Sequence, residues 1–205
     1  MDSKKVHQLS GIVLSGFIAI HLVNHVYGLF GAEKHIELMN TLRLFYRHWF
    51  VETVLLLAVF SQIITGLMLF GKKRKTALSG FDKIQTWTGL YLAMFLVIHL
   101  TAVFLGRYYL DLDTNFYFGV AGLNTFPLNL FFGPYYGLAI VSVFGHVAAI
   151  HNRKMHQTIG GITPEDQAKF ILAFGLVLTI AILYSLTNRF NGVDIPEAYS
   201  VMTGQ

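Results

Sequence analysis

The chain has 205 residues, of which 54% are hydrophobic and 13% charged, and a formal net charge of +4. Soluble domains carry about a quarter charged residues, so this composition excludes an ordinary soluble protein and indicates an integral membrane one. The sequence has no cysteine, which excludes disulfides, thiolate-bound zinc and iron–sulfur clusters in this chain, and no GxGxxG or GKS/T motif marks a nucleotide or flavin site.

Five apolar runs have spanning length: Leu9 to Phe30, Phe50 to Phe70, Ile84 to Gly106, Pro134 to Ile150 and Ala168 to Asn188. Little is left for a soluble domain, so residues 1–205 read as one transmembrane domain. The first run is too long for a signal peptide, carries His21, Asn24 and His25 and has no small-residue cleavage site, so it reads as a span. Lysine and arginine fall ten on the amino-terminal side (Lys4, Lys5, Lys72, Lys73, Arg74, Lys75, Lys83, Arg153, Lys154, Lys169). Five fall opposite (Lys34, Arg43, Arg47, Arg107, Arg189). This bias predicts a multi-pass protein with its amino terminus in the cytoplasm, and the expected location is the inner (cytoplasmic) membrane. Topology thus accounts for the net charge, and no nucleic-acid partner is expected.

In the first span His21 lies roughly 20 Å from the inner end, and His25 follows it at i+4 on the same face. The loop Gly31 to Arg47 holds Glu33, Lys34, His35, Glu37, Arg43 and Arg47; it reads as solvated surface with room for a short amphipathic helix. The second span places Glu52 near its outer end, as an interfacial partner for Arg47 or His48, and Gln62 roughly 12 Å from the inner end. The cationic run Lys72 to Lys75 is a topology signal and a candidate docking patch for a soluble subunit.

The third span repeats the first. Ser10, Gly11, Leu14, Phe17, Ile20, His21 and Leu22 are echoed by Thr88, Gly89, Leu92, Phe95, Ile98, His99 and Leu100. In each helix the Ser or Thr, Leu, Phe and His share one face, and His99 lies roughly 22 Å from the inner end. If both helices cross in the same direction, two imidazoles lie at one depth and can grip one object. An intramembrane histidine normally faces the bundle interior and is a functional candidate. The alternative, a histidine bonded to a neighbouring carbonyl as helix–helix glue, explains the repeat less well.

The outer loop Arg107 to Gly133 is rich in aromatic residues, which reads as an interfacial belt or a roof over an apolar cofactor. Pro134 suits the first turn of the fourth span, which carries His146 roughly 8 Å from its inner end. Thr163, Pro164, Glu165 and Asp166 mark the start of the fifth helix, with Thr163 as N-cap. That helix has no histidine or buried charge and reads as a packing helix, and the tail from Phe190 carries no legible function.

Two imidazoles on different helices, without cysteine or a carboxylate cluster, suit six-coordinate haem better than zinc. Zinc recruits three or four protein ligands, whereas haem iron needs two axial groups. Bis-histidine coordination leaves no open position, which points to electron transfer. Each ligand's second ring nitrogen should be held by a backbone carbonyl or hydroxyl.

The order of spans and the lines HQLSGIVLSGFIAIHLVNH, ETVLLLAVFSQIITG, QTWTGLYLAMFLVIHL and YYGLAIVSVFGHVAAIH, followed by GITPEDQ, carry a resemblance over almost the whole chain. They resemble the single-chain, five-helix cytochrome b membrane subunit of succinate dehydrogenase and fumarate reductase. The resemblance implies an all-α integral membrane fold of five transmembrane helices, the first four a haem-binding four-helix bundle with the fifth packed outside. It implies haem b and quinone as cofactors, with His21 and His99 as axial ligands of an outer haem. His146 would be one ligand of an inner, second haem, whose other ligand position falls on Gln62. Glutamine is a poor haem ligand. Three outcomes stay open: the outer haem alone, which we favour, an inner haem with another ligand, or an inner site given up. Phe144 stands where some family members carry an acidic residue, so a proton route through that position is not expected.

The resemblance further implies flavoprotein and iron–sulfur subunits docked on the cytoplasmic face. The chain would then exchange electrons between them and the quinone pool, and would not oxidise succinate alone. Asn24, His25, Glu52 and Arg107 are candidate quinone or propionate contacts by location. Two other readings compete with this one. A stand-alone membrane cytochrome b would exchange electrons between quinone and an extracytoplasmic acceptor such as superoxide, and a haem-free anchor would use its histidines for quinone or packing.

Overall fold

A computed structural model describes residues 2–73 and 80–204. Arg74 and Lys75 of the expected docking run lie outside these residues. The five spans are α1 (Ser3–Tyr27), α3 (Trp49–Lys73), α4 (Gly80–Phe104), α6 (Asn129–Lys154) and α7 (Pro164–Leu186), each long and apolar enough to cross a membrane. Between them lie α2 (Ala32–Tyr46) and the short α5 (Phe116–Val120). No strand occurs among the described residues, so the all-α, five-span architecture expected from the apolar runs is the one observed.

The helices overrun their apolar runs because backbone hydrogen bonding continues through the polar ends; Lys4, Lys5, Lys72 and Lys73 are all helical. α6 begins at Asn129, so Pro134 sits inside the helix and not in its first turn as the sequence suggested. Pro134 is the sixth residue, beyond the four amides that lack intrahelical acceptors, so its missing N–H leaves the Leu130 carbonyl without its i+4 donor. Thr163 caps α7 as expected, its hydroxyl accepting from the Asp166 amide at 3.2 Å.

Neighbours follow chain order: α1 packs on α3, α3 on α4, α4 on α6, and α6 on α7, which also meets α1. Polar contacts at both ends fix the directions. Glu52 at the start of α3 pairs with Arg107 just beyond α4, while Lys73 at the end of α3 reaches Asp82 and Gln85 at the start of α4. α3 and α4 are therefore antiparallel. His7 at the start of α1 bonds Thr65 near the end of α3, so α1 is antiparallel to α3 and runs the same way as α4.

Leu14 of α1 and Ala58 and Val59 of α3 form one buried cluster, against which Leu96 and Leu100 of α4 pack. A second joins Ile140 of α6 and Ile182 and Leu186 of α7 to Phe116, Val120 and Leu123. The outer loop is thus partly core. Phe116 and Phe118 are buried, while Tyr108, Tyr109, Phe126 and Phe131 are exposed in the manner of an interfacial belt. The tail is also structural: Tyr199 is buried and its hydroxyl donates to the Asp113 carbonyl at 3.0 Å.

Gly175 sets how closely α7 approaches α6, because a Cβ there would overlap the Phe144 side chain. Overpacking of this kind costs about 1–3 kcal/mol. Gly175→Val is expected to lower the thermal midpoint in detergent by about 3–10 °C, read by circular dichroism. An unchanged midpoint would show that the α6–α7 seam can give.

Candidate functional site

The internal repeat becomes a paired structure. Ser10 and Thr88 each turn their hydroxyl back to the carbonyl four residues earlier, Val6 at 2.8 Å and Ile84 at 2.7 Å. Phe17 stacks on His21 with centroids 5.7 Å apart and planes at 18°, and Phe95 stacks on His99 at 5.1 Å and 13°. In both helices the i, i+4 spacing that aligns a phenyl with an imidazole fixes the imidazole's plane. Because α1 and α4 are parallel, the two histidines meet across the bundle, their centroids 6.3 Å apart and their planes at 67°.

That spacing can be compared with what one metal atom needs. Imidazole nitrogens bind first-row metals at about 2.0–2.1 Å, and with about 1.1 Å more to each ring centre, two rings on opposite sides of one metal stand about 6.3 Å apart. The His21–His99 separation fits this requirement.

His21 does not have its second partner among carbonyls or hydroxyls, as the sequence suggested. Its Nε2 lies 3.1 Å from His25 Nε2, so one ring donates and the other accepts. His25 Nδ1 lies 3.4 Å from His35 Nε2, and the Asn24 side-chain amide lies 3.2 Å from that same nitrogen. The Ser185 hydroxyl of α7 donates to the His25 backbone carbonyl at 3.1 Å. A line of imidazoles therefore runs from the paired histidines to α2.

The loop read as solvated surface is a roof. His35 is 3% exposed and Met39 5%, and Tyr46 meets Phe17 edge-on at 5.5 Å. His35 was missed as a site residue, although His35, Met39, Arg43 and Tyr46 form a helical stripe that the sequence displays. Beside this roof, Val13, Gly16, Phe17, Tyr46, Val54 and Leu55 line an apolar cavity of about 340 Å³ between α1, α2 and α3.

Burial, with the nearby Arg43 charge second, lowers the pKa of His35 from 6.5 to about 4. His35 is therefore neutral when folded but charged when unfolded below about pH 6.5. The stability it contributes is present above that pH and is lost as pH falls toward 4. The groups facing it are His25 and Asn24 of α1, Arg43 of α2 and Phe116. Acidification from pH 6.5 to 5 is expected to lower the hydrogen-exchange protection factors over α2 by up to about fifteenfold. His35→Gln should flatten that dependence, and an α2 protected equally at both pH values would refute it.

At the outer edge Glu52 pairs with Arg107 at 2.6 Å, and not with Arg47 or His48 as expected. A π-helical turn, Leu105–Tyr109, carries Arg107 and places it 5.0 Å over the Tyr108 ring. Arg47 donates to the Thr114 hydroxyl at 2.9 Å, and Arg43 pairs with Asp113 at 2.8 Å.

The inner layer is arranged differently. His146 Nδ1 lies 3.1 Å from the Gln85 carbonyl, so that nitrogen carries the proton and Nε2 keeps its lone pair. Here the expected carbonyl partner is present. Gly89 makes room for this ring, as a Cβ there would stand 3.1 Å from His146 Cε1. Gln62 lies against Gly11, where a Cβ would stand 2.6 Å from its Nε2, and its Oε1 is buried without a partner. His7, which the sequence reading passed over, bonds Thr65 Oγ1 at 2.9 Å.

Although four histidines gather near the outer end, no group of three or more His, Cys, Asp or Glu among the described residues is arranged to hold a metal ion by itself. The arrangement suits a metal that brings its own equatorial ligands and takes two imidazoles. No family model matches the chain, and no curated protein or solved structure matches it.

Proposed function

We propose that this chain is a membrane cytochrome b whose His21 and His99 hold one haem b. In this reading it serves as the anchor subunit of a succinate dehydrogenase or fumarate reductase complex, passing electrons between membrane quinone and flavoprotein and iron–sulfur subunits. The observation that carries the proposal is the 6.3 Å separation of two imidazoles on parallel helices. The haem, when bound, supplies a one-electron carrier with no open coordination position.

The chain's own residues do the positioning. Phe17 and Phe95 set the ring planes of His21 and His99. His25 competes for His21 Nε2: one lone pair cannot both accept from His25 and ligate iron, so ligation through Nε2 would require the His25 contact to be given up. α2 closes the outer mouth and keeps water from the histidines. The cavity beside Phe17 has the apolar lining that suits a quinone tail, while Asn24, His25, Glu52 and Arg107, the expected head-group contacts, do not line it.

The inner layer favours a second reading. Gln62 is packed on Gly11 and offers no imidazole opposite His146. An electron from a cytoplasmic iron–sulfur cluster would then lack a relay to the outer haem. That favours a stand-alone oxidoreductase exchanging electrons between quinone and an extracytoplasmic acceptor. Haem per polypeptide in gently purified protein, measured as the pyridine haemochromogen, tests both. One b haem with co-purifying soluble subunits supports the anchor, and one without them supports the stand-alone enzyme. Two haems would show that His146 has found a second ligand, and none, in haem-replete cells, would overturn the cytochrome reading.

A further inference from the structure

Arg43 sits on the inward stripe of α2, between His35 and Tyr46, which both face the paired-histidine site. Its side chain is 11% exposed. Nη1 is engaged, on Asp113 at 2.8 Å and on Asn40 at 3.3 Å. Nε and Nη2 are buried and make no hydrogen bond of good geometry, although the Tyr46 phenol lies within reach of the guanidinium. These two nitrogens form one edge of the guanidinium, the edge that meets both oxygens of a carboxylate or phosphate in parallel. A buried charged edge left unpaired is costly, so a fold that keeps one has an anion to place there.

The local charge agrees. Burial first, then the charges of Arg43 and Arg107, hold Arg47 below its usual pKa, so both of those guanidiniums act on Arg47. Two carboxylates pair with them, Asp113 on Arg43 and Glu52 on Arg107, while Arg47 donates to a hydroxyl. Three cations against two anions leave one positive charge at the outer margin of the site.

We propose that the Nε/Nη2 edge of Arg43 binds a carboxylate of the haem, one of its propionates, so that α2 is fastened over the cofactor by a bidentate pair. The inference rests on the haem reading given above. A phospholipid phosphate has the same chemistry, and the test separates the two sources.

Full-length apo-protein is titrated in detergent with iron protoporphyrin IX and with its dimethyl ester, in which both carboxylates are blocked, and affinity is read from the Soret band. Wild type is expected to bind the free acid at least tenfold more tightly than the ester. Arg43→Gln should weaken the acid about tenfold and leave the ester nearly unchanged, and Arg43→Lys, which keeps the charge but not the fork, should fall between them. Equal wild-type affinities for acid and ester overturn the proposal with the haem reading intact, and this comparison needs no variant to fold. Acid–ester discrimination that survives in a folded Arg43→Gln protein assigns the carboxylate elsewhere and also overturns it. Equal affinities together with phospholipid phosphorus that is lost from Arg43→Gln would identify a lipid phosphate as the occupant. If wild type binds neither porphyrin, both the haem reading and this inference fall.

Discussion

His21→Ala and His99→Ala are each expected to reduce b haem from about one per chain to below about a tenth, while His146→Ala and Gln62→Ala leave it in place. Two axial imidazoles act as one unit, because removing either leaves iron five-coordinate in hydrocarbon with a cavity where the ring stood. The neighbours cannot stand in easily. His25 already shares its Nε2 with His21 and its Nδ1 with His35, and Phe17 and Phe95, which back the rings, have no donor. His146 has its Nδ1 on the Gln85 carbonyl in a separate layer, so its loss should not reach the outer pair. The reduced α-band in membranes, with far-ultraviolet circular dichroism to show that each variant folds, decides the matter. Full haem in both the His21 and His99 variants would remove the pairing on which the proposed function stands.

Much of this was legible in the sequence because the signal was strong and local. Five apolar runs gave five spans, and the repeated spacing of Phe and His placed two stacked pairs on parallel helices. That a helix could form at α2 was legible, but its inward, buried stripe was not, for a physical reason. In water a buried stripe is apolar, but at a membrane surface the relation can invert. α2 turns His35 and Arg43 inward and shows Leu44, 82% exposed, and Phe45, 65% exposed, to what would be lipid. A segment with that pattern reads as solvated loop. The pairing of Glu52 with Arg107 spans 55 residues and depends on a π-helical turn that no periodicity announces. The buried Tyr199 hydroxyl finds a backbone carbonyl 86 residues away, a contact with no local trace. Pro134 misled for a simpler reason: proline is common at the first helical position, but it is also tolerated a turn later where few bonds are lost.

If the proposed haem is bound, removing it is expected to lower the thermal midpoint by about 8–16 °C. A ligand held at about a thousand times its dissociation constant stabilises the folded state by about 4 kcal/mol, and a chain of this size shifts by about 2–4 °C per kcal/mol. The loss should be local before it is global. α1 and α4 share the cluster of Leu14, Ala58, Val59, Leu96 and Leu100 on one side of the site, and this apolar packing does not depend on a cofactor. The line of His21, His25 and His35 depends more on polar contacts, two of them between imidazoles that must share one proton and one from the Asn24 amide. Hydrogen exchange in apo-protein should therefore rise first around His21, His99 and α2, and later in the α6–α7 seam. Added haem should restore protection in wild type and in His146→Ala but not in His21→Ala. If midpoint and exchange are the same with and without haem, the gap between the two histidines is held open by the protein alone, and its spacing would have to be explained by helix packing instead of by a ligand.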